Sequence, residues 1–559
     1  MRETYQPGFK KQFYFRRAKR LLPGYFLIVV LTISIAYFLT IPSDFRQVTQ
    51  QAKSSLLLIP NIHFWAQESY FSSSHFNPLL HLWSLGVEFQ FYLLVPVFAF
   101  LFKGRKALLP IFLLTSLLCC GLMLVIFPKA VFFLLPFRAW EFLAGWGLHS
   151  LPKIVANFRA NNFAILTFFV FLVIGGFLFF ALPIDGNATN IFLGHPGLVA
   201  VFTVVMTSCF LFFRFSIPGG AIFRLLEHIG AYSYSIYLVH FPILVLLRYR
   251  PFRGNSLASY NWLTGVSSVV LLVLVSYLFY THIEQRFNRA PKQIISFILA
   301  SLITVVSLPI LSKIQNHSYS AFKQNISLAY SDRTEYRCGL LWRIGHPSSR
   351  TCIIGSSQYQ SKILLLGNSH ADAIKNVLAE AANVHRISTY FWVRNNPLMN
   401  TKEEISEVGD EIKSKEISTV VLHYSPGAVS PVVVQEFVGR MTLAGITVVI
   451  VGPVPTWKVN VPEAMWSPTK QNLLGLDQNY TQYSLSNAEE INSLKSLVKP
   501  GVNYVDLGSI LCKPKCRYAD AKGVPYYWDS GHLTLSGASL LRTALDDVVS
   551  KFVKSSDAR

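Results

Sequence analysis

The sequence predicts a multi-pass α-helical membrane bundle followed by an α/β domain on the extracytoplasmic side. Hydrophobic residues make up 52% of the 559 residues and charged residues only 14%, with a mean hydropathy of +0.39. Soluble domains average about 25% charged residues, so much of this chain is expected to lie in lipid. After about residue 360, short β-type runs alternate with amphipathic helical segments, the pattern of a covered, mostly parallel sheet.

Nine apolar stretches approach the ~20 residues that a helix needs to cross the hydrocarbon core. They lie at about 22–41, 84–102, 107–127, 130–149, 163–182, 196–214, 229–248, 262–282 and 294–312. The run at 54–65 is shorter and contains Pro60, which predicts an interfacial or re-entrant piece.

The basic residues are distributed as membrane-topology signals, and no nucleic-acid partner is expected. The net charge is +21, but the Lys and Arg residues cluster at the N-terminus and in short loops. An excess of Lys and Arg marks cytoplasmic loops. The N-terminus and the loops at 103–106, 150–162 and 286–292 therefore lie inside, with 248–253 as the exception. Nine crossings then place everything after about residue 313 outside.

Four of the seven cysteines lie in the polar half and support the same placement. Cys338 with Cys352, and Cys512 with Cys516, form two local pairs without the Cys-x-x-Cys or His pattern of a zinc site. No metal is therefore expected. Two disulfides are expected instead, because disulfides persist in oxidising compartments outside the cytoplasm.

Four polar side chains lie within or at the edges of the apolar stretches: Glu88, Arg138, Glu141 and His240. Such residues are costly when they face lipid and commonly mark sites or pathways. The alternative is that they pair with one another and hold the bundle together. The nearby Trp and Tyr residues favour an internal polar site.

The polar half is predicted to contain strands at 362–366, 419–423, 447–451 and 502–507, and helices near 370–382, 430–443, 487–498 and 535–553. The predicted domains are therefore a membrane domain at 1–313, a linker at 314–360 and an α/β domain at 361–559.

Ligand chemistry in such sheets lies at the carboxyl ends of the strands. Gly367-Asn368-Ser369-His370 follows the first predicted strand and precedes a helix, which favours Ser369 as a nucleophile at a tight turn. Just before the last helix, Asp529 stands three residues ahead of His532 and can orient its imidazole as the base. Each motif alone is common in purely structural roles, but together they predict a Ser–His–Asp site. His370 lacks such an Asp and is interpreted as a polar neighbour.

These two blocks resemble the SGNH hydrolase superfamily, which has a flavodoxin-like α/β fold. The resemblance implies that Ser369, Asp529 and His532 are catalytic. Asn368 stands where the family usually has Asp, and the family's other oxyanion-hole donors, a Gly and an Asn, have no assigned counterpart here.

The membrane half resembles the acyltransferase-three family of bacterial inner-membrane O-acetyltransferases. The resemblance lies in FRRAKRLLP at 15–23, LHLWSLGVEFQFY at 80–92, RAWE at 138–141 and YSYSIYLVH at 232–240. Arg16 and Arg17 of the first block are candidate donor-binding residues. Full-length fused relatives begin with two further helices, one of which carries a His regarded as catalytic. We therefore expect either an internal Met1 or a shortened form.

Together the resemblances imply O-acyl transfer, by default O-acetyl transfer. The expected donor is cytoplasmic acetyl-CoA, with no bound cofactor, and the expected acceptor is a cell-surface polysaccharide of the O-antigen or lipopolysaccharide type, or a lipid-linked glycan. The outer domain would be periplasmic. Two alternatives stay open. One is a membrane-anchored periplasmic deacylase, and the other is an inactive truncated form or partner subunit.

Overall fold

The computed structural model describes residues 9–67, 75–105, 107–150, 197–213, 220–255, 262–289, 294–346, 349–393, 398 and 403–556. The chain forms two compact units, Met1–Ile314 and Gln315–Arg559. The predicted span at 163–182 and almost all of the loop before it lie outside the described residues.

The regular secondary structure in the described part of the first unit is entirely helical. Its helices are α1 (Phe9–Leu39), α2 (Pro42–Leu56), α3 (Pro60–Ala66), α4 (Trp83–Leu101), α5 (Leu108–Ile126), α6 (Pro128–Phe133), α7 (Leu135–Ser150), α8 (Leu198–Phe213), α9 (Ala221–Leu247), α10 (Trp262–Leu278), α11 (Gln285–Arg289) and α12 (Ile294–His317). The last of these continues three residues beyond the boundary between the units.

Five helical stretches among the described residues are long and apolar enough to cross a membrane. They are Lys11–Leu39, Leu80–Leu101, Arg224–Leu247, Trp262–Phe287 and Ser296–His317, and two shorter apolar helices lie at Leu108–Leu124 and Leu198–Ser208. The predicted multi-pass helical membrane fold is confirmed.

Two predicted pieces differ in detail from the observed helices. The stretch predicted as one span at 130–149 is divided between α6 and α7, because Leu134 adopts an extended backbone and Pro136 follows in the first turn of α7. The stretch at 54–65 contains the end of α2 and the start of α3. Pro60 begins α3, where its missing N–H costs no hydrogen bond.

The second unit is built on a six-stranded sheet in the order β1-β3-β2-β4-β5-β6. The strands are β1 (Thr351–Ile354), β2 (Ser361–Gly367), β3 (Ile387–Trp392), β4 (Thr419–His423), β5 (Thr447–Val451) and β6 (Val502–Val505). The edge strand β1 is antiparallel to β3, and the other neighbours are parallel. The predicted α/β fold is confirmed.

Helices cover both faces of this sheet, which explains why its central strands are apolar at successive positions. The α-helices of the second unit are α13 (Ala321–Ser327), α14 (Leu340–Gly345), α15 (Ser369–Val384), α16 (Glu403–Lys415), α17 (Pro431–Leu443), α18 (Val461–Trp466), α19 (Lys470–Gly475), α20 (Tyr480–Ser486), α21 (Ala488–Ser496), α22 (Leu507–Leu511), α23 (Leu535–Ser539) and α24 (Arg542–Ser556). Leu364 and Leu366 of β2 pack towards α16 and α17, and α15 lies against β2 and β3. Such double coverage buries both faces of parallel strands.

The chain order reverses at β2, whose neighbours are β3 on one side and β4 on the other. In open α/β sheets the crevice at such a switch point, beyond the carboxyl ends of the strands, is where ligands bind. The residues that follow β2 and β4 therefore meet at the position where a site is expected.

The interpretation of 314–360 as a linker is corrected by the structure. Ile326 and Ala329 are fully or almost fully buried, and β1 pairs with β3 at the sheet edge. The segment lacks long apolar runs because a short edge strand and two short helices bury few residues. The strand β3 and the helix α16 were not predicted. The strand predicted at 502–507 ends at Val505, because the side chain of Asp506 caps α22.

Candidate functional site

Ser369 is the first residue of α15 and is separated from the end of β2 by a single residue, Asn368. Asn368 precedes it as the N-cap, and its Oδ1 accepts a hydrogen bond from the N–H of His370 at 3.0 Å. A Cβ on Gly367 would collide with the backbone carbonyl oxygen of His423 on the neighbouring strand, so only glycine permits this close approach. The turn leaves the Ser369 side chain exposed.

The three predicted triad residues lie within hydrogen-bonding distance in the predicted order. Ser369 Oγ is 2.7 Å from His532 Nε2, and His532 Nδ1 is 2.7 Å from Asp529 Oδ2. The side chains of His532 and Asp529 are 25% and 26% exposed, which leaves the imidazole accessible to a reacting group. In this geometry His532 can accept the Ser369 proton while Asp529 fixes its tautomer.

Asp529 is held in its charged form. Burial by itself raises the pKa of this carboxyl, but the hydrogen bond and charge of the His532 imidazole oppose it, as do the N–H groups of His532 and Gly531. The net effect is a pKa below the ordinary value. Those N–H groups donate to Asp529 Oδ1 at 2.7 and 2.8 Å. The carboxylate is therefore available to the imidazole over a wide pH range.

Two further histidines lie behind the triad. The ring of His370 is 4.6 Å from that of His532 and 5.9 Å from that of His423, and both are buried. Burial lowers the pKa of His423 to about 4 and, together with the charges of His532 and His423, lowers the pKa of His370 well below its usual value. Both rings are therefore neutral at physiological pH. The structure places His370 beside the predicted base, and its only described contacts with the triad are to His532.

The loop that carries Asp529 and His532 is fixed at several points. The N–H of Trp457 donates to the carbonyl of Ser530 at 2.7 Å, and the N–H of Val461 donates to the carbonyl of Asp529 at 3.2 Å. Trp528 packs on the other side, with its ring stacked on the imidazole of His532. The two backbone contacts come from the segment after β5, which sequence reasoning did not connect with the site.

Two residues after β4 define the neighbouring wall of the crevice. Ser425 lies beside Asn368, whose Nδ2 donates to Ser425 Oγ at 2.8 Å. The N–H of Gly427 is occupied, because it donates to Glu490 Oε2 at 2.9 Å. Sequence reasoning missed Ser425, although its place at the carboxyl end of a predicted strand was an available signal.

The predicted polar residues of the first unit fall into three local groups. In the first, Tyr92 donates a hydrogen bond to the carboxylate of Glu88, and the guanidinium of Arg17 lies 5.0 Å from the Tyr92 ring centroid. Arg16 and Arg17 are exposed on α1. Glu88 and Arg17, one of the two candidate donor-binding arginines, therefore both contact the Tyr92 side chain.

The second group is an ion pair under an indole. Arg138 Nη2 is 3.0 Å from Glu141 Oε1, with side chains 16% and 19% exposed, and the guanidinium lies 5.3 Å from the Trp83 ring centroid. The third group holds His240, whose Nδ1 is 2.7 Å from the carbonyl oxygen of Tyr237 and whose ring is 5.4 Å from that of buried His81. Among the described residues, no hydrogen bond or ion pair joins Glu88, the Arg138 pair and His240.

The four cysteines of the second unit pair as Cys338–Cys352 and Cys512–Cys516. The first pair ties β1 to the segment before α14, and the second closes a short loop directly after α22. Within the described ranges, no group of three or more His, Cys, Asp or Glu side chains is arranged to hold a metal ion.

Both units match known families. Residues 3–281 match an acyltransferase domain, and residues 337–547 match the SGNH domain that occurs fused to acyltransferase-three domains. The resemblance inferred from the sequence motifs is confirmed.

Curated relatives are more distant. The peptidoglycan O-acetyltransferase OatA of Listeria monocytogenes is 29% identical over 253 residues, which are 42% of this chain and 40% of the relative. The O-acetyltransferase OatA of Staphylococcus aureus is 28% identical over 328 residues, 54% of this chain and 53% of the relative. The chain thus spans about half the length of the curated relatives that it matches, or less. No solved structure matches it significantly.

The two matched domains follow one another in the order that the structure shows, a helical unit first and an α/β unit second, and together they take in most of the chain. The chain therefore belongs to the family of membrane acyltransferases that carry a fused SGNH domain.

Proposed function

We propose that this protein transfers an acetyl group to a hydroxyl group of a cell-envelope polysaccharide, through an acyl ester on Ser369. The observation that carries the proposal is the pair of 2.7 Å contacts that link Ser369 Oγ to His532 Nε2 and His532 Nδ1 to Asp529 Oδ2. A serine activated in this way is a nucleophile for acyl groups. The family and the names of the relatives supply the acyl-transfer context.

The first half of the reaction acylates the serine. Ser369 Oγ attacks the acyl carbonyl carbon while His532 Nε2 takes the hydroxyl proton. Collapse of the tetrahedral intermediate breaks the bond to the leaving group, and His532 returns the proton to that group. The proposed primary donor is cytoplasmic acetyl-CoA, whose acyl group passes through the membrane unit to Ser369.

The second half transfers the acyl group to the acceptor. The sugar hydroxyl attacks the ester carbonyl of acylated Ser369 as His532 takes the sugar proton. The ester bond to Ser369 Oγ breaks, and the proton returns to Ser369. The name of the Listeria relative states peptidoglycan as the acceptor, whereas the name of the Staphylococcus relative states only O-acetyl transfer. Peptidoglycan is therefore the first acceptor to test, and an O-antigen-type or lipid-linked glycan is the second.

The proposed location is the bacterial inner membrane, with the second unit on the extracytoplasmic side. The support is the set of long apolar helices in the first unit and the two cysteine pairs in the second. A membrane-impermeant maleimide applied to reduced spheroplasts is expected to label Cys512 and Cys516. Labelling only after lysis would refute this placement.

The reaction is tested by producing the parent chain and the Ser369→Ala variant in cells that lack the gene. The O-acetyl content of the purified cell-envelope polysaccharides is then measured by mass spectrometry. Ser496→Ala is a matched control, because Ser496 is an exposed serine whose Oγ bonds only within its own helix. The parent and the control are expected to raise the acetyl content, and Ser369→Ala is expected to leave it at the level of the empty strain.

The other outcomes distinguish the alternatives. A parent-dependent decrease in acetyl content identifies a deacylase with the same triad. Equal effects of the parent and Ser369→Ala identify a partner subunit in which the triad is not used.

A further inference from the structure

Asn368 is the residue before the nucleophile. Its hydrogen bonds identify which atom of the side-chain amide is the oxygen and which is the nitrogen. Its Oδ1 lies 3.0 Å from the N–H of His370 and 3.2 Å from the N–H of Ser425. Both partners are backbone donors, so this atom must be the oxygen. The other end is then the NH₂ group, and it lies 2.8 Å from Ser425 Oγ.

This assignment decides the direction of the bond to Ser425. An amide NH₂ group has no lone pair to accept with, so it must donate and Ser425 Oγ must accept. The hydroxyl proton of Ser425 is consequently left over. Within the described part of the chain, no acceptor takes this proton.

The place of Ser425 makes its free proton relevant to the reaction. The last paired residues of β2 and β4 are Gly367 and His423, so Ser369 and Ser425 each lie two residues beyond the end of adjacent parallel strands. Neighbouring strands are about 4.8 Å apart. The N–H of Ser369 is the first of α15, and it too has no partner among the described residues.

Resting on the proposed function, we propose that the Ser425 hydroxyl is an oxyanion-hole donor of this site and acts beside the N–H of the nucleophile Ser369, the donor that the SGNH family uses. When Ser369 Oγ adds to the acyl carbonyl, the carbonyl oxygen takes the negative charge, and both donors hydrogen-bond to it. No proton is transferred in this contact. When the carbonyl re-forms and the leaving group departs, the two hydrogen bonds weaken again.

The same geometry accounts for Asn at position 368. A carboxylate there has no proton to give, so Ser425 would donate its own proton to it and be lost from the oxyanion hole. Gly427 is no substitute, because its N–H is bound to Glu490. The amide of Asn368 and the hydroxyl of Ser425 therefore act as one unit, with Asn368 as the positioning residue.

The test uses the full-length protein purified in detergent, with p-nitrophenyl acetate as the acyl donor. Ser425→Thr and Ser425→Val give side chains of nearly the same shape that differ in the hydroxyl. The Val variant is expected to have a kcat about 10²–10³ lower than the Thr variant, the loss typical of one oxyanion donor, with little change in KM. Equal kcat values for the two variants would overturn the proposal.

Asn368→Asp is the second variant. It is expected to lose as much kcat as Ser425→Val, and the double variant is expected to be no worse than either single one. A rise in kcat with Asn368→Asp would overturn the assigned bond direction. Ser430→Ala is the control on the same loop, because Ser430 is exposed and its side chain makes no capping bond.

Ser369→Ala separates this inference from the proposed function. An inactive Ser369→Ala with equal Thr and Val variants refutes the oxyanion role of Ser425 and leaves the nucleophile intact. An active Ser369→Ala refutes the proposed function itself.

Discussion

Trp528 stacks on the imidazole of His532, with ring centroids 4.7 Å apart and the two planes 21° from parallel. The guanidinium of Arg333 lies 5.1 Å from the Trp528 ring centroid, and the Tyr330 ring meets the indole edge-on. The indole therefore fixes the plane of the predicted base, whereas Asp529 fixes its rotation and tautomer.

Replacing Trp528 by Ala is expected to lower kcat for ester hydrolysis about tenfold to hundredfold, because a misplaced base loses the near-attack geometry. The measurement is steady-state kinetics on the full-length protein. Trp342→Ala is the matched control, since Trp342 also stacks on a histidine, His346, at 4.7 Å and 12°, but outside the triad. Equal losses in the two variants would show that the effect is on folding and not on the base.

The second unit is expected to fold by itself only when its first residues are included. The carbonyl of Asp332 accepts the N–H of Leu535 at 2.8 Å, and its carboxylate accepts the N–H of Ser536 at 3.1 Å. These bonds hold the start of α23, directly after His532. A fragment of residues 315–559 is therefore expected to be soluble and cooperatively folded, as measured by circular dichroism and thermal melting.

A fragment of residues 361–559 is the matched comparison. It lacks β1 and the buried residues Ile326 and Ala329, so it exposes a sheet edge and an apolar surface. This shorter fragment is expected to aggregate or to lose its cooperative transition. If the two fragments melt alike, the contacts of residues 315–360 contribute nothing measurable to the stability of the unit.

How much of this was predictable from sequence differs between the strands and their connections. The strand at 419–423 was predicted to the residue, because its centre, Val420-Val421-Leu422, is the continuous apolar run that is typical of a buried parallel strand. The strand β3 was missed because Ser388 and Thr389 interrupt its apolar run, although both are buried. Nothing in the sequence of this segment indicates that it pairs with β2 and extends the sheet.

The predicted triad residues come from motifs that are local in sequence, and the structure brings Ser369 and His532 together across 163 positions. The supporting residues could not be predicted in the same way. Trp528 is next to Asp529 in the chain, but only the folded loop turns its ring onto His532. The direction of the Asn368–Ser425 bond depends on two backbone N–H groups from different strands' ends, which no spacing encodes.

Acidification is expected to destabilise the second unit between about pH 6.5 and about pH 4. Burial lowers the pKa of His423 from 6.5 to about 4, so in this window the unfolded chain binds a proton at His423 that the folded chain does not. Stability is then full above the unfolded pKa and falls with decreasing pH, by roughly 3 kcal/mol at most for this one group. His370 contributes in the same direction, because its pKa is also lowered.

Pulse proteolysis of the full-length protein over this pH range measures the effect. His423→Gln is expected to flatten the dependence of the unfolding free energy on pH, whatever it does to stability at pH 7. His346→Gln, at an exposed position, is expected to leave the slope unchanged. An unaltered slope in His423→Gln would show that another group is responsible for the acid sensitivity.

Variants of the Arg138–Glu141 pair test whether these partly buried charges take part in the chemistry of the first unit or only stabilise it. Removing one partner of a fully buried pair costs about 3–5 kcal/mol, because the remaining charge is left uncompensated. The cost is expected to be smaller for this pair, whose side chains are 16% and 19% exposed. Arg138→Ala is expected to abolish acetylation of the polysaccharide in cells while the protein is still inserted in the membrane. Glu141→Ala alone measures the cost of the opposite unpaired charge.

The double variant Arg138→Ala/Glu141→Ala is decisive, because it removes both charges and with them the penalty for an unpaired one. If the pair only holds the helix, the double variant regains both protein level and acetylation. If Arg138 acts on the donor or the acyl group, protein level recovers and acetylation does not, and we expect this second result because the guanidinium also faces the ring of Trp83.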